Sequence, residues 1–315
     1  MPLFFIYYFI LFTVKTPLDI SFETYYYPVM KIRKAVFPAA GFGTRFLPAT
    51  KAIPKEMLTL VDKPLIQYAV EEAKASGLEE IIIVTGMGKT AIEDHFDTSF
   101  ELEILLKERG KNEILKKIEE VSELVHFAYT RQKKPLGLGH AIGITRNLIN
   151  NEPFAVFLGD DIIDSRVPAM KQMLDVYKRY GTSVLAVQKV PRSQTHMYGV
   201  ICGKKVAPGV YRVTDLVEKP KSNPPSNLAI IGRYILSPEI FNSLDKTSPG
   251  KGGEIQLTDA LRILLKTQEI YACEFEGVRY DAGDKIGFLK ANIAFGLKNA
   301  ETSIEIRKFL KSIKI

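Results

Sequence analysis

The chain has 315 residues, of which 46% are hydrophobic and 25% charged, an ordinary globular composition with room for one large α/β domain or two small ones. Its two cysteines, Cys202 and Cys273, are isolated, and with only four histidines no C-x-x-C or His cluster suggests zinc, so reduced thiols in the cytoplasm are expected. The net charge of +7 raises nucleic acid, but the basic residues are dispersed apart from a mild cluster over Ile306–Lys314 that reads as an amphipathic C-terminal helix, and no nucleic-acid motif is present.

In chain order, residues 1–30 come first and stand apart. Met1–Val14 is strongly apolar, yet shorter than the ~20 residues of a membrane helix, and it lacks the positive flank and cleavage site of a signal peptide. Residues 1–30 read as a dispensable extension outside the fold, with no stable membrane insertion; a membrane-associating segment is the minority reading. Met30-Lys31-Ile32-Arg33-Lys34 looks like a natural start.

Strands then alternate with helices. Strands are expected at about 33–38, 80–85, 125–130, 154–158 and 183–190, and helices at about 64–76, 137–149 and 168–180, with a charged helical insertion over 101–120. This predicts right-handed crossovers and a Rossmann-like, mostly parallel sheet with helices on both faces. After Tyr198 the texture turns to β-hairpins, up to the Pro-rich loop Lys219–Pro225. A nucleotide half (about 31–190), a smaller β-rich sugar-binding half (about 191–284), and a C-terminal helix (301–315) are the expected divisions of the chain.

The first strand empties into Pro38-Ala39-Ala40-Gly41-Phe42-Gly43-Thr44-Arg45. Its glycines let backbone N–H groups approach an anion, and Arg45 adds a planar charged fork for phosphate oxygens. Lys55, in Pro54-Lys55-Glu56, supplies a further cation. A dinucleotide fingerprint fails because Phe46 stands where the third glycine belongs and the strand Ile81–Thr85 ends without an acid, so NAD is disfavoured. Gly86-Met87-Gly88-Lys89-Thr90 lacks the first Walker glycine, which is Ile83 here, and reads as an ordinary strand-to-helix turn. Asp161, after Asp160 at the end of the fourth strand, reads as a helix cap, and His140 as a structural helix residue.

Gly41–Arg45 followed by Pro54-Lys55 resembles the signature of the sugar-phosphate nucleotidyltransferases. Leu47–Met57, Lys63–Tyr68, His95–Glu103, Glu218–Lys221 and Gly253–Ala260 narrow the likeness to the bacterial UTP:glucose-1-phosphate uridylyltransferases, in order from about residue 31 to about residue 300. The resemblance implies UTP and glucose 1-phosphate as substrates and a homo-oligomer as the assembly. The nucleotide would lie on Ala40, Gly41, Gly43 and Thr44, with Gln132 and Gly137 against uracil and Arg45 and Lys55 toward the departing pyrophosphate. Asp160 and Asp281 would share a Mg²⁺, the hard oxygen shell that this ion prefers. Glu218 would accept from sugar hydroxyls, Lys219 would pair with the sugar phosphate, and Gly199 and Gly232 would flank the sugar. Arg45, Lys55, Asp160 and Lys219 are the expected catalytic set. The alternatives are another sugar-1-phosphate nucleotidyltransferase, such as a thymidylyltransferase, and a silent nucleotide-sugar sensor; the sensor would be expected to have lost Lys55, Asp160 or Asp281.

Overall fold

The computed structural model describes residues 29–313. The apolar run Met1–Val14 and the proposed extension therefore lie outside the described residues, apart from Val29 and Met30, and so does Lys314 of the basic cluster. Among the described residues thirteen strands are formed: β1 (Lys34–Pro38), β2 (Thr59–Leu60), β3 (Lys63–Pro64), β4 (Glu80–Thr85), β5 (His126–Arg131), β6 (Phe154–Phe157), β7 (Asp161–Asp164), β8 (Val184–Lys189), β9 (Gly199–Ala207), β10 (Val210–Glu218), β11 (Leu228–Leu236), β12 (Tyr271–Glu274) and β13 (Val278–Asp281). The five strands expected before residue 191 are all present within a residue or two; the short β2, β3 and β7 are additional.

Nine strands make one sheet in the order β5-β4-β1-β6-β11-β8-β12-β10-β9. The run β5-β4-β1-β6 is parallel, as expected for the nucleotide half. Beyond it the sheet is mixed: β11 is antiparallel to both β6 and β8, β12 is parallel to β8, and β10 is antiparallel to β12 and β9. The expectation of a mostly parallel sheet thus describes the nucleotide side and not the whole. Strand β11, which comes from the second half of the chain, is wedged between β6 and β8 of the first, so the two halves share one continuous sheet.

Period-2 alternation divides the core between the two faces. Ala35 and Phe37 of β1 join Ile66, Ala69 and Val70 of the helix Leu65–Ala75 and Met170 and Met173 of the helix Ala169–Tyr180. Val36, between them, faces the opposite way and packs with Ala141 and Ile142, Phe241 and Leu244, and Leu261 of the helix Leu257–Leu264. All nine positions of β11 are buried, as befits a central strand covered on both sides. A smaller cluster of Leu60, Leu65, Ile162, Ala282 and Ala291 lies under the helix Lys285–Gly296. The charged insertion is a pair of helices, Phe100–Glu108 and Asn112–Ser122. No helix among the described residues is long and apolar enough to cross a membrane.

Candidate active site

Ligands of an open α/β sheet bind beyond the carboxyl ends of its parallel strands, and there the structure opens a cavity of about 520 Å³. Gly41, Gly43, Thr44, Arg45, Lys55, Asp160, Gly199, Glu218, Lys219, Gly232 and Asp281 all line it. Gly43 has φ 64°, a left-handed conformation that disfavours a side chain, and its carbonyl accepts from Thr50 Oγ1 at 2.8 Å. The chain then tightens into a single turn, Thr44–Phe46, that carries Arg45.

Asp160 and Asp281 meet because β7 and β13 form a short antiparallel ladder in which Asp161 stands opposite Asp281. Ala282 N also donates to Asp160 O at 2.8 Å, tying the two loops together. A Cβ placed on the buried Gly283 would lie 2.7 Å from Asp160 Oδ2 and 3.1 Å from Asp281 Oδ1, so both carboxylates converge on one point. Asp284 then caps the following helix by accepting from Ile286 N and Gly287 N, which anchors the loop.

The charges are interlocked. Lys55 Nζ donates to Asp160 Oδ2 at 2.5 Å. Burial would push the Asp160 carboxyl up, but the Lys55 charge and its hydrogen bond outweigh burial and hold it below the usual carboxylate range. Asp281 goes the other way: burial raises it and the charge of Asp161 adds to this, against the pull of Arg279. Arg279 pairs with Asp161 and with Asp281 Oδ2, the latter at 2.9 Å, and donates to Tyr198 Oη at 3.2 Å.

Asp161 is no helix cap, contrary to expectation. It opens strand β7, and its Oδ2 accepts from Gly232 N at 2.9 Å. Gly232 is required for this approach, since a Cβ there would stand 2.5 Å from that oxygen and 2.7 Å from Leu158 Cβ. Behind the turn, the fully buried Arg233 donates to Leu158 O at 3.0 Å and Asp161 O at 2.8 Å while paired with Glu72, clamping the backbone on either side of Asp160.

On the opposite wall, Glu218 Oε2 accepts from Thr258 Oγ1 at 2.7 Å, and a Cβ on Gly199 would lie 3.2 Å from the same oxygen. Lys219 has φ 44°, uncommon for a residue with a side chain; the exposed ammonium stands 3.4 Å from Glu218 Oε1.

Ala40, Gln132 and Gly137 do not line the cavity. Gln132 is buried, with its Nε2 donating to Gly137 O at 3.2 Å and standing 2.8 Å from Nδ1 of His140, which thereby acquires a partner that the sequence did not suggest. Gly137, at φ 94°, packs where a Cβ would meet Glu254 Cβ at 2.8 Å, and Glu254 is on the cavity wall, as is the neighbouring Leu138. Arg279, Tyr234 and Thr258 also line the cavity and are not among the expected site residues. A signal existed for Arg279: in a strand, positions 279 and 281 share a face, so an arginine two residues before a candidate metal ligand points at the same site.

A model of the nucleotidyl transferase family matches residues 34–296, and the chain belongs to that family. It is 54% identical to the UTP–glucose-1-phosphate uridylyltransferase of Staphylococcus epidermidis over 286 residues, which cover 90% of this chain and 99% of the relative. It also resembles a crystal structure of UDP-glucose pyrophosphorylase complexed with UDP-glucose, at 50% identity and a TM-score of 0.79 over 85% of this chain and 100% of the other. A UTP-bound UGPase from Acinetobacter baumannii matches at 37% identity with a TM-score of 0.84, over 90% of this chain and 100% of that one.

Proposed function

We propose that the protein transfers a uridylyl group from UTP to glucose 1-phosphate, releasing pyrophosphate and forming UDP-glucose. The observation that carries this is the convergence on one cavity of the glycine loop with Arg45, of Lys55, of the Asp160 and Asp281 carboxylates, and of Glu218 with Lys219. A phosphate oxygen of the sugar phosphate attacks the α-phosphorus in line, and the bond to pyrophosphate breaks as it leaves toward Arg45 and Lys55. The nucleophile is already anionic at pH 7, so the protein contributes orientation and charge neutralisation rather than a general base.

Lys219 pairs with the sugar phosphate, Glu218 accepts from sugar hydroxyls, and Gly199 and Gly232 keep that wall free of side chains. Gly41, Gly43 and Thr44 cradle the nucleotide phosphates, while Ala40, Gln132 and Gly137 stand behind the cavity wall, where Gln132 holds Gly137 against Glu254, and shape the base subsite from there. The two carboxylates that converge beside Gly283 fit a hard divalent cation; they would hold Mg²⁺, which when bound offsets the repulsion among phosphates. The same reading makes the protein a cytoplasmic enzyme and a homo-oligomer, and the second of these is supported by Ile286, Leu289 and Ile293, left exposed along one side of a helix.

Pyrophosphate release measured across a panel of nucleoside triphosphates and sugar 1-phosphates tests the assignment. The pair UTP and glucose 1-phosphate should give the highest kcat/KM; a preference for dTTP would replace the reading with the thymidylyltransferase one, and silence on every pair would favour the sensor.

A further inference from the structure

The segment Gly86–Lys89 is the expected strand-to-helix turn, leading from β4 into the helix Thr90–Phe96, and it buries a charge. Lys89 is not a solvated loop residue: its side chain is 8% exposed and its Nζ donates to Glu56 Oε2 at 2.7 Å, with the Glu56 side chain 2% exposed. Glu56 follows Lys55 directly in the turn Lys55–Met57, and its second oxygen, Oε1, is buried with no hydrogen-bond partner. Four charges of alternating sign therefore run from Asp160 through Lys55 and Glu56 to Lys89, two positive and two negative, closed off from water at the Lys89 end.

We propose that Lys89 is a positioning residue for the reaction: by neutralising Glu56 it keeps the neighbouring Lys55 ammonium available to the pyrophosphate end of the nucleotide. A buried carboxylate must be paired, and Glu56 has two cations close enough to act on it, Lys55 and Lys89. Burial opposes the charge of Lys55 itself, which Asp160 and Glu56 restore, so Lys55 already answers to two carboxylates before any phosphate arrives. With Lys89 present, Glu56 spends its Oε2 on the β4 side of the cavity. Without it, the cation left acting on Glu56 among the described residues is Lys55, and the unpaired Glu56 competes with pyrophosphate for that ammonium. Lys89 is not on the wall of the cavity, and its side-chain hydrogen bond goes to Glu56, so its contact with the site runs through that carboxylate.

The inference rests on the reading of Lys55 as the pyrophosphate partner, and the test separates the two. Steady-state kinetics of the full chain run in the reverse direction, with UDP-glucose saturating and pyrophosphate varied, would compare wild type, Lys89→Met, the double variant Glu56→Gln with Lys89→Met, and Lys55→Met, each with its Tm. Lys89→Met should raise the KM for pyrophosphate about tenfold or more while kcat stays within about threefold, because a binding contact has been weakened. The double variant should return that KM to within about threefold of wild type, since no competing carboxylate remains, whereas a merely structural loss would not be repaired by removing a second charge. An unchanged KM in folded Lys89→Met, or a folded double variant no better than the single one, overturns the proposal. If Lys89→Met does not fold, the double variant decides by the same criterion, and if neither folds Lys89 is a structural residue and the proposal falls. Lys55→Met must raise the same KM; if it does not, the assignment of Lys55 itself is at fault.

Discussion

Gly283→Ala probes the shared carboxylate site most directly. The added methyl would sit 2.7 Å from Asp160 Oδ2 and 3.1 Å from Asp281 Oδ1, both inside ordinary carbon–oxygen contact. Asp160 cannot simply swing aside, because Lys55 holds the same oxygen at 2.5 Å, and Asp281 is held by Arg279 at 2.9 Å. The methyl thus takes the space where a shared cation would lie. Loss of one preorganised electrostatic contact lowers kcat about 100- to 1000-fold, or about 2.7–4 kcal/mol of transition-state stabilisation. Stability should suffer less: overpacking costs about 1–3 kcal/mol, and in a chain of this size each kcal/mol moves Tm by about 2–4 °C. Mn²⁺ binding followed by the loss of the free-ion EPR signal reads the site independently of turnover, and an affinity at least tenfold weaker is expected in Gly283→Ala, with Asp160→Asn and Asp281→Asn behaving alike. Wild-type Mn²⁺ affinity and kcat in a folded Gly283→Ala protein would refute a cation shared between the two carboxylates.

Three further outcomes are expected. Gln132→Ala should weaken the use of UTP by about 1–3 kcal/mol in kcat/KM and narrow the preference over other triphosphates, with the KM for glucose 1-phosphate nearly unmoved; unaltered base selectivity would show that Gln132 does not shape the base subsite. Arg279→Met leaves the buried Asp161 carboxylate without its cation, beside the half-buried Asp281, and should cost about 3–5 kcal/mol in urea unfolding at pH 7, so a change under 1 kcal/mol would show that these ion pairs are not what holds β7 to β13. Burial pushes the Cys273 thiol up to about 12, so at pH 8 it is protonated in all but about one molecule in ten thousand. Native protein treated with iodoacetamide should therefore retain an unmodified Cys273 that becomes reactive only on unfolding, and rapid labelling of the native chain at that position would contradict its burial.

Local pattern was enough for the nucleotide half. Short, β-branched apolar runs bounded by turns, such as Ile81–Val84, read as strands buried on both faces, and the glycine turn after Phe37, with Arg45 and Lys55 near it, marks a phosphate site through backbone sterics and charge. These features depend on residues within one turn or strand of each other, so the sequence displays them without the fold. The insertion of β11 between β6 and β8, and the resulting mixed sheet, depend on which distant edges pair, and no local periodicity encodes that choice.

The site divides along the same line. Resemblance named Asp160 and Asp281, but their approach rests on the β7–β13 ladder, whose register sets Asp161 opposite Asp281, and β7, with an acid at each end and only two apolar residues between, shows no strand pattern. Asp161 read as a cap because an acid after a strand is usually one; only the approach of Gly232 and Arg279 from elsewhere in the chain gave it partners. Lys89 is the sharpest case. A lysine in a glycine turn is ordinarily solvated, and its burial against Glu56 required two loops separated by 33 positions to close over both charges. The sequence by itself determined the elements and the chemical types available at the carboxyl edge of the sheet. The tertiary structure alone decided which charges neutralise one another there, because a charge's partner is set by distance in space and by exclusion of water, and neither is a property of neighbours in the chain.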